Sequence, residues 1–361
     1  MAQLGRWYAR NSYIRCPICL NPLRWNAAPA VRVGQDGQPQ PLSRHADVLM
    51  GQEEELDAYR QCAGGGSSHL LPYHYGDYGS PVVIGVIAGG LAGKTHLLAA
   101  MIGTLIREAG LGRFQLRLDP LDFRIHAEYE QAVIRPFLQE RRVLPITRRG
   151  QVEFTDALRV HNPATGRSHA IAFFDVGGEQ LQNYRENTFL SAVNALLFVV
   201  DAAQLTARRR DRAGPADPVF DSVLDRLGRV HGYSRSGFVP LPAAVVVAKA
   251  DLLRFLGEQD LDHWLGQPAD EEFDLSTTEQ ESEDVFRLLH RKGKSYLTPA
   301  TKCLRSTLHF ASAAGVAPEG DRFPELGFGP RRTLKPLLAL FDSLGILRSA
   351  AAASTKERGQ A

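Results

Sequence analysis

From Ser80 onward, apolar runs alternate with segments of helical spacing, the arrangement expected of an α/β sheet. The runs Val82–Ile87, Ala170–Phe174, Leu196–Val200, Ala243–Val247 and Leu308–Ser312 have strand length and suit central strands covered on both faces. Val152–Val160 differs. Val152, Phe154, Leu158 and Val160 alternate with more polar positions, and Asp156 is the one break. A period of two predicts a half-exposed edge strand. The turn-rich linker His161–Arg167 is too short for a crossover helix, so this strand and the next should form an antiparallel hairpin. Helical spacing is clearest over Lys94–Glu108, with Leu97, Leu98, Met101, Ile102, Leu105 and Ile106 on one face, and over Leu334–Leu344. The acidic stretch Asp270–Asp284 reads as a surface loop, and the small, polar tail from Ser349 as frayed. Residues 1–78 show little periodicity, with a loop at Val33–Ser43 and a flexible Gly64–Ser68. The expected organisation is a small N-terminal module (1–78), an α/β domain (79–348) and a disordered tail (349–361).

The strongest local signal is Ala88-Gly89-Gly90-Leu91-Ala92-Gly93-Lys94-Thr95, placed after a strand and before a helix. That context marks a phosphate-binding P-loop. Its glycines let successive backbone N–H groups turn toward phosphate oxygens, and the helix adds its positive end. Lys94 can bridge β- and γ-phosphates and the Thr95 hydroxyl can hold magnesium, with His96 next on the helix. Gly89, Gly90, Ala92 and Gly93 line the loop. Ala88 stands where glycine is commoner and keeps the position small. The expected fold is therefore the three-layer P-loop NTPase fold, with a mostly parallel sheet and one antiparallel edge hairpin. That pairing resembles the Ras-like branch of P-loop proteins.

Later segments bear on the nucleotide. Phe174-Asp175-Val176-Gly177-Gly178-Glu179 ends a strand. Asp175 can reach magnesium, and the Gly178 N–H can meet a γ-phosphate, as in the Asp-x-x-Gly switch of GTPases. Glu179 stands where a glutamine often orients the attacking water. In Ala248-Lys249-Ala250-Asp251, Asp251 can accept from the guanine N1–H and amino group while the Lys249 stem packs along the base. Ala248 replaces the usual asparagine there. Ser312-Ala313 follows a further strand and resembles the Ser-Ala motif that contacts guanine O6. Thr147, ahead of the hairpin, is the candidate second magnesium ligand and γ-phosphate sensor. Arg141, Arg142, Arg148 and Arg149 around it form a solvated basic loop, or include an arginine finger.

Four cysteines occur in 361 residues. Cys16 and Cys19 can place two thiolates on one metal, with Cys62 and His69 completing a tetrahedral zinc set; His45 and His74 are alternatives to His69. Cys303 reads as a buried free thiol. Net charge is +2, with 44% hydrophobic and 23% charged residues, a balance that points to neither nucleic acid nor membrane. The longest apolar stretches, Pro81–Gly93 and Ala192–Ala203, fall short of the roughly 20 residues a span needs. The N-terminus lacks the apolar core of a secretory signal, so a cytoplasmic location is expected.

Taken together, Cys16–Cys19, His69–Pro72, Ala88–Thr95, Leu144–Thr147, Asp175–Glu179, Ser282–Val285 and Leu334–Leu338 resemble the bacterial TRAFAC-type GTPases known as double-GTPase (DO-GTPase) proteins. In those proteins a zinc-ribbon-like N-terminus precedes the GTPase core. The resemblance covers most of the chain. It implies a GTP-hydrolysing switch in bacterial signalling or defence-type assemblies, with GTP/GDP, magnesium and zinc as cofactors and an unidentified protein partner. Two other readings stand beside it: a nucleotide-loaded interaction module with negligible turnover, and an ATPase.

Overall fold

The computed structural model describes residues 13–34, 36–42, 58–64, 68–107, 114, 116–145, 153–177, 190–206, 218–230, 238–254, 259–267 and 274–347. Its centre is a seven-stranded sheet built from β7 (Val82–Ala88), β8 (Arg117–Pro120), β9 (Glu153–Asn162), β10 (Arg167–Gly177), β11 (Ala195–Asp201), β12 (Val239–Ala248) and β13 (Cys303–Phe310). The order across the sheet is β13-β12-β11-β7-β10-β9-β8. β7, β10, β11, β12 and β13 run parallel, and β9 is antiparallel to both neighbours.

Successive residues of each strand point to opposite faces, so the apolar runs feed two cores. Val83 and Ile87 of β7 join one apolar cluster, with side chains from the helices Pro218–Val230, Gln259–Gly266 and Thr278–Lys292. Ile84, Val86 and Ala88 join the other, with the helices Lys94–Arg107 and Lys335–Ser343. This is the helix–sheet–helix layering that doubly apolar strands require. Among the described residues no helix is long and apolar enough to cross a membrane.

The hairpin β9–β10 forms as expected, but β9 is not an edge. β8 pairs with its outer side, Leu118 opposite Val160. β8 is only Arg-Leu-Asp-Pro, too short and too charged to show a period. The break at Asp156 is a β-bulge: Asp156 pairs with Phe173, Phe154 with Phe174, and Thr155 is the extra residue. Asp156 is buried and accepts from His126 (2.7 Å) and from the Ala157 N–H (2.8 Å).

The expected acidic loop is also overturned where it is described. Thr278–Lys292 is a helix, and Glu281 and Asp284 face inward. Asp284 accepts from the Trp264 indole (2.9 Å) and Arg287 (2.7 Å). Glu281 pairs with Arg332 (2.8 Å) and His309 (3.0 Å) and accepts from the Phe310 N–H (3.1 Å). A buried charge is tolerated when paired and hydrogen-bonded in this way.

The N-terminal part holds more order than its weak periodicity predicts. β1 (Tyr13–Arg15) and β2 (Pro22–Arg24) form a hairpin, and β3 (Ala30–Val33), β4 (Pro39–Pro41), β5 (Ala58–Cys62) and β6 (His69–Pro72) form an antiparallel sheet in the order β4-β3-β5-β6. The expected loop at Val33–Ser43 is mostly the β3–β4 hairpin. Ile14, Trp25, Leu71 and Tyr75 belong to the same apolar cluster as the first face of the large sheet. Arg124 Nε donates to the Tyr59 hydroxyl (2.8 Å), tying β5 to the helix Phe123–Tyr129.

The Glu281 cluster makes acid stability testable. Burial alone would raise this carboxyl's pKa, but His309 and Arg332, as positive partners, hold it near 2 against an ordinary 4.5. A depressed carboxyl contributes stability above its unfolded pKa and loses it as pH falls through the folded one. Thermal stability should therefore drop between about pH 4.5 and 2, and Glu281→Gln should flatten that part of a Tm-against-pH curve.

Candidate nucleotide site and thiol cluster

β7 is the topological switch point of the sheet, with the chain turning to β10 on one side and β11 on the other. Ligands of such sheets sit at the carboxyl ends of the strands near that point. All the described nucleotide-site candidates lie along this edge. β7 ends at Ala88, the loop follows, and the helix begins at Lys94. Leu91 and Gly93 both have left-handed backbone (φ 64 and 80). At Gly93 a Cβ would also stand 3.1 Å from Lys249 Cε, so a side chain here meets both strain and a neighbour. The Leu97 N–H donates to the Gly93 carbonyl (2.9 Å), closing the first helical turn.

In register, Asp175 lies opposite Val86, two residues before the end of β7. Its carboxylate and the Lys94 ammonium form an ion pair, both side chains largely shielded. The two groups expected to meet phosphate and cation thus neutralise each other. Thr95 stands in the same helical turn.

The second half of the site is held by a lysine. Lys249 leaves β12 in left-handed conformation (φ 53). Its ammonium donates to the Leu91 carbonyl (2.7 Å) and to Asp201 (3.1 Å). Asp201, buried at the end of β11, also accepts from the Ala203 N–H (2.9 Å). Sequence reading missed Asp201, although an acid closing an apolar strand was its visible signal. Two residues past Lys249, Asp251 accepts from the buried Ser312 hydroxyl. The Gly315 N–H donates back to that hydroxyl (2.8 Å), and the Ala250 N–H donates to the Ala311 carbonyl (3.1 Å). Lys249, Asp251, Ser312 and Ala313 are therefore brought together, although Ser312 lies beyond the strand rather than in it.

His96 is engaged by residues outside the P-loop. Its Nε2 accepts from the Leu144 N–H (2.9 Å), and its ring meets Phe137 and Phe323 edge-on at 4.9 and 5.8 Å. Burial first, then the Lys249 charge, lowers its pKa to about 4, which keeps the ring neutral and able to accept. Thr147, Gly178 and Glu179 lie outside the described residues, as do His45, Arg148 and Arg149.

In the N-terminal part, Cys16, Cys19, Cys62 and His69 offer ligand atoms all within 4.8 Å of one another. Cys16 Sγ lies 3.8 Å from His69 Nδ1, and Cys19 Sγ 3.6 Å from Cys62 Sγ. A tetrahedral zinc with ligand bonds of about 2.3 Å needs separations of about 3.8 Å, close to those of Cys16–His69 and Cys19–Cys62. The β1–β2 turn supplies one pair, with Leu20 in left-handed conformation (φ 61), and the facing ends of β5 and β6 supply the other. Burial raises the Cys16 pKa to about 12, raises that of Cys62 and lowers that of His69, so a bound cation would have to offset the cost of ionising the thiols. His74 instead pairs with Asp77 (2.7 Å), and Cys303 is a buried free thiol.

No family profile matches this chain, and no curated protein does. Among solved structures, it is similar to the bacterial selenocysteine-specific elongation factor EF-Sec, with 13% identity over 73% of this chain and 29% of that one, at a TM-score of 0.28. It is similar to the S. cerevisiae Ski7 GTPase-like domain, with 12% identity over 73% and 50%, at 0.34. A third is the small COPII coat GTPase SAR1 from Encephalitozoon cuniculi, with 12% identity over 78% and 85%, at 0.29. The chain thus spans half or less of the length of the first two. At TM-scores this low the likenesses carry no weight beside the site's own geometry.

The thiol cluster yields a direct measurement. One equivalent of cobalt added to the reduced protein should give thiolate-to-metal absorption, and Cys62→Ser should weaken it and lower affinity by about tenfold or more. A chelator should lower Tm in the parent protein and not in that variant.

Proposed function

We propose that this chain binds GTP with magnesium and hydrolyses it, working as a molecular switch of the kind the DO-GTPase resemblance implies. The observation that carries this reading is the Asp251–Ser312 pair, set on the same sheet edge as the P-loop and joined to it by Lys249. A carboxylate that accepts from one serine hydroxyl keeps further acceptor capacity. Guanine offers two donors on one edge, N1–H and the amino group. Adenine has an acceptor at N1 and cannot pair in that arrangement. Lys249 would lie along the base with its ammonium fixed by Leu91 and Asp201.

At the phosphate end, Lys94 would leave Asp175 for the β- and γ-phosphate oxygens. The Thr95 hydroxyl and the Asp175 carboxylate are hard oxygen donors that suit magnesium, and Thr147 would supply a further oxygen. When bound, magnesium neutralises the charge that builds up on the phosphates. The Gly178 N–H would meet the γ-phosphate, and Glu179 would accept a hydrogen bond from the attacking water. Loss of the γ-phosphate would release the segments carrying Thr147 and Gly178. Zinc on Cys16, Cys19, Cys62 and His69 would stabilise the N-terminal module, which we assign to docking a protein partner.

Equilibrium binding tests the reading. Lys94→Ala should cost GTP about 100-fold or more in affinity. Asp251→Ala removes two charge-assisted hydrogen bonds and should cost GTP about 100-fold while leaving ATP nearly unchanged. Equal affinity of the parent protein for ATP and GTP would sink the guanine assignment. Ala248 and the charge of Glu179 favour a second reading, a nucleotide-loaded module without turnover. Single-turnover hydrolysis, with and without candidate partners, separates the two.

A further inference from the structure

We infer that the loop 313–331 is a strap that couples the base-reading residues to the arm leading into the Thr147 segment, with Phe323 and His96 as positioning residues. The inference rests on the nucleotide reading above and adds how the two ends of that site communicate.

The root of the strap is closed. Ser312 and Arg331 exchange backbone hydrogen bonds of 3.0 and 2.8 Å, forming an antiparallel bridge. Ser312 is the residue whose hydroxyl holds Asp251. Just beyond it, Gly315 adopts φ 76, and a Cβ there would stand 2.8 Å from the Gly327 carbonyl oxygen. Only glycine lets the two limbs of the loop approach so closely.

The far end does not simply return through solvent. The Val143 N–H donates to the Asp321 carbonyl (2.8 Å), and the Phe323 N–H donates to the Arg141 carbonyl (2.7 Å). Arg142 and Arg322 form an antiparallel bridge, and Arg141 lies 3.5 Å from Glu325. Arg141 has left-handed backbone (φ 55), a conformation an L-residue keeps only when its surroundings hold it. Beneath this small sheet, Phe323 meets Phe137 edge-on at 5.7 Å and His96 at 5.8 Å. His96 in turn accepts from the Leu144 N–H. The arm 141–144 is thus fixed from one side by the strap and from the other by the residue that follows Thr95.

A displacement of Ser312 caused by a base at Asp251 reaches Arg141 along one continuous loop, beside the route that His96 gives from the phosphate end. Coupling of this kind is reciprocal: a change in the arm alters affinity at the base end by the same factor. A loop that served only to join β13 to the helix Lys335–Ser343 would not spend backbone donors and an aromatic ring on the arm.

Hydrogen exchange on the full chain, with and without GDP, tests the inference. GDP should slow exchange at residues 88–95, 312–315 and 141–144. Phe323→Leu keeps apolar volume but loses the edge-to-face contacts. It should abolish most of the slowing at 141–144, about tenfold in protection, and leave that at 88–95 unchanged. Gly315→Ala, which strains the root without touching the aromatic ring, should act alike. In both variants, with protection compared at saturating GDP, the affinity for GDP should fall by a matching factor, up to about tenfold. If GDP protects 88–95 and 312–315 but not 141–144, or if both variants keep full protection of the arm, the strap is overturned and the nucleotide reading stands. If GDP protects none of these segments, the nucleotide reading fails and the strap falls with it.

Discussion

Burial on both faces is the constraint from which the rest of this structure follows. β7, β11 and most of β12 have apolar side chains on either side, so these three strands put no charge through the sheet's faces. Polar chemistry is pushed to the strand ends. Asp175, Asp201, Lys249 and Ser312 all stand at or just beyond the carboxyl edge; Asp201 and Lys249 hold each other, Ser312 holds Asp251, and Asp175 pairs with Lys94 at the helix start. Side-by-side pairing of parallel strands sets these ends within reach of one another. The rigidity of the site is inherited from the ladder.

Charge that does enter the interior is answered in kind. Glu281 has Arg332 and His309, Asp156 has His126, and buried Lys335 donates to the Asp274 carbonyl and the Thr277 hydroxyl (3.0 Å). Breaking such a pair leaves an uncompensated charge, which costs far more than the pair itself contributes. The Glu281 cluster joins three elements: the helix Thr278–Lys292, the end of β13 through the Phe310 N–H, and Arg332 at the end of the strap. Arg332, which follows the strap, and Arg141, on the arm that the strap meets, both have left-handed backbone (φ 55).

What could be read from the sequence was local. The P-loop is contiguous, and its glycines and lysine carry their meaning within eight positions. Asp175 and Asp251 were visible because each follows an apolar strand. Asp201 follows one too, but its role depends on Lys249, 48 residues away, and no local pattern points there. The acidic stretch was misread for a related reason. Glu281 looks solvated until Arg332, 51 residues on, is placed beside it. β8 and the N-terminal strands escaped because a period of two cannot be recognised over three to five residues. The cysteine pair was legible as a pair, with Cys62 and His69 as its expected partners and His45 and His74 as alternatives; the β5–β6 register sets His69 opposite Cys62.

The N-terminal strands differ in character from the rest of the chain, and the change near Ser80 looks like a seam. Among the described residues one apolar cluster crosses it. Trp25, Leu71 and Tyr75 belong to the apolar cluster that also contains Val83, Leu196 and Phe198, and Tyr59 is bonded to Arg124 on the other side. Two parts that share one apolar cluster both lose buried surface if they are parted. A chain severed at residue 78 would leave apolar surface bare on both pieces, and the shared cluster ties the thiol-bearing part to the large sheet.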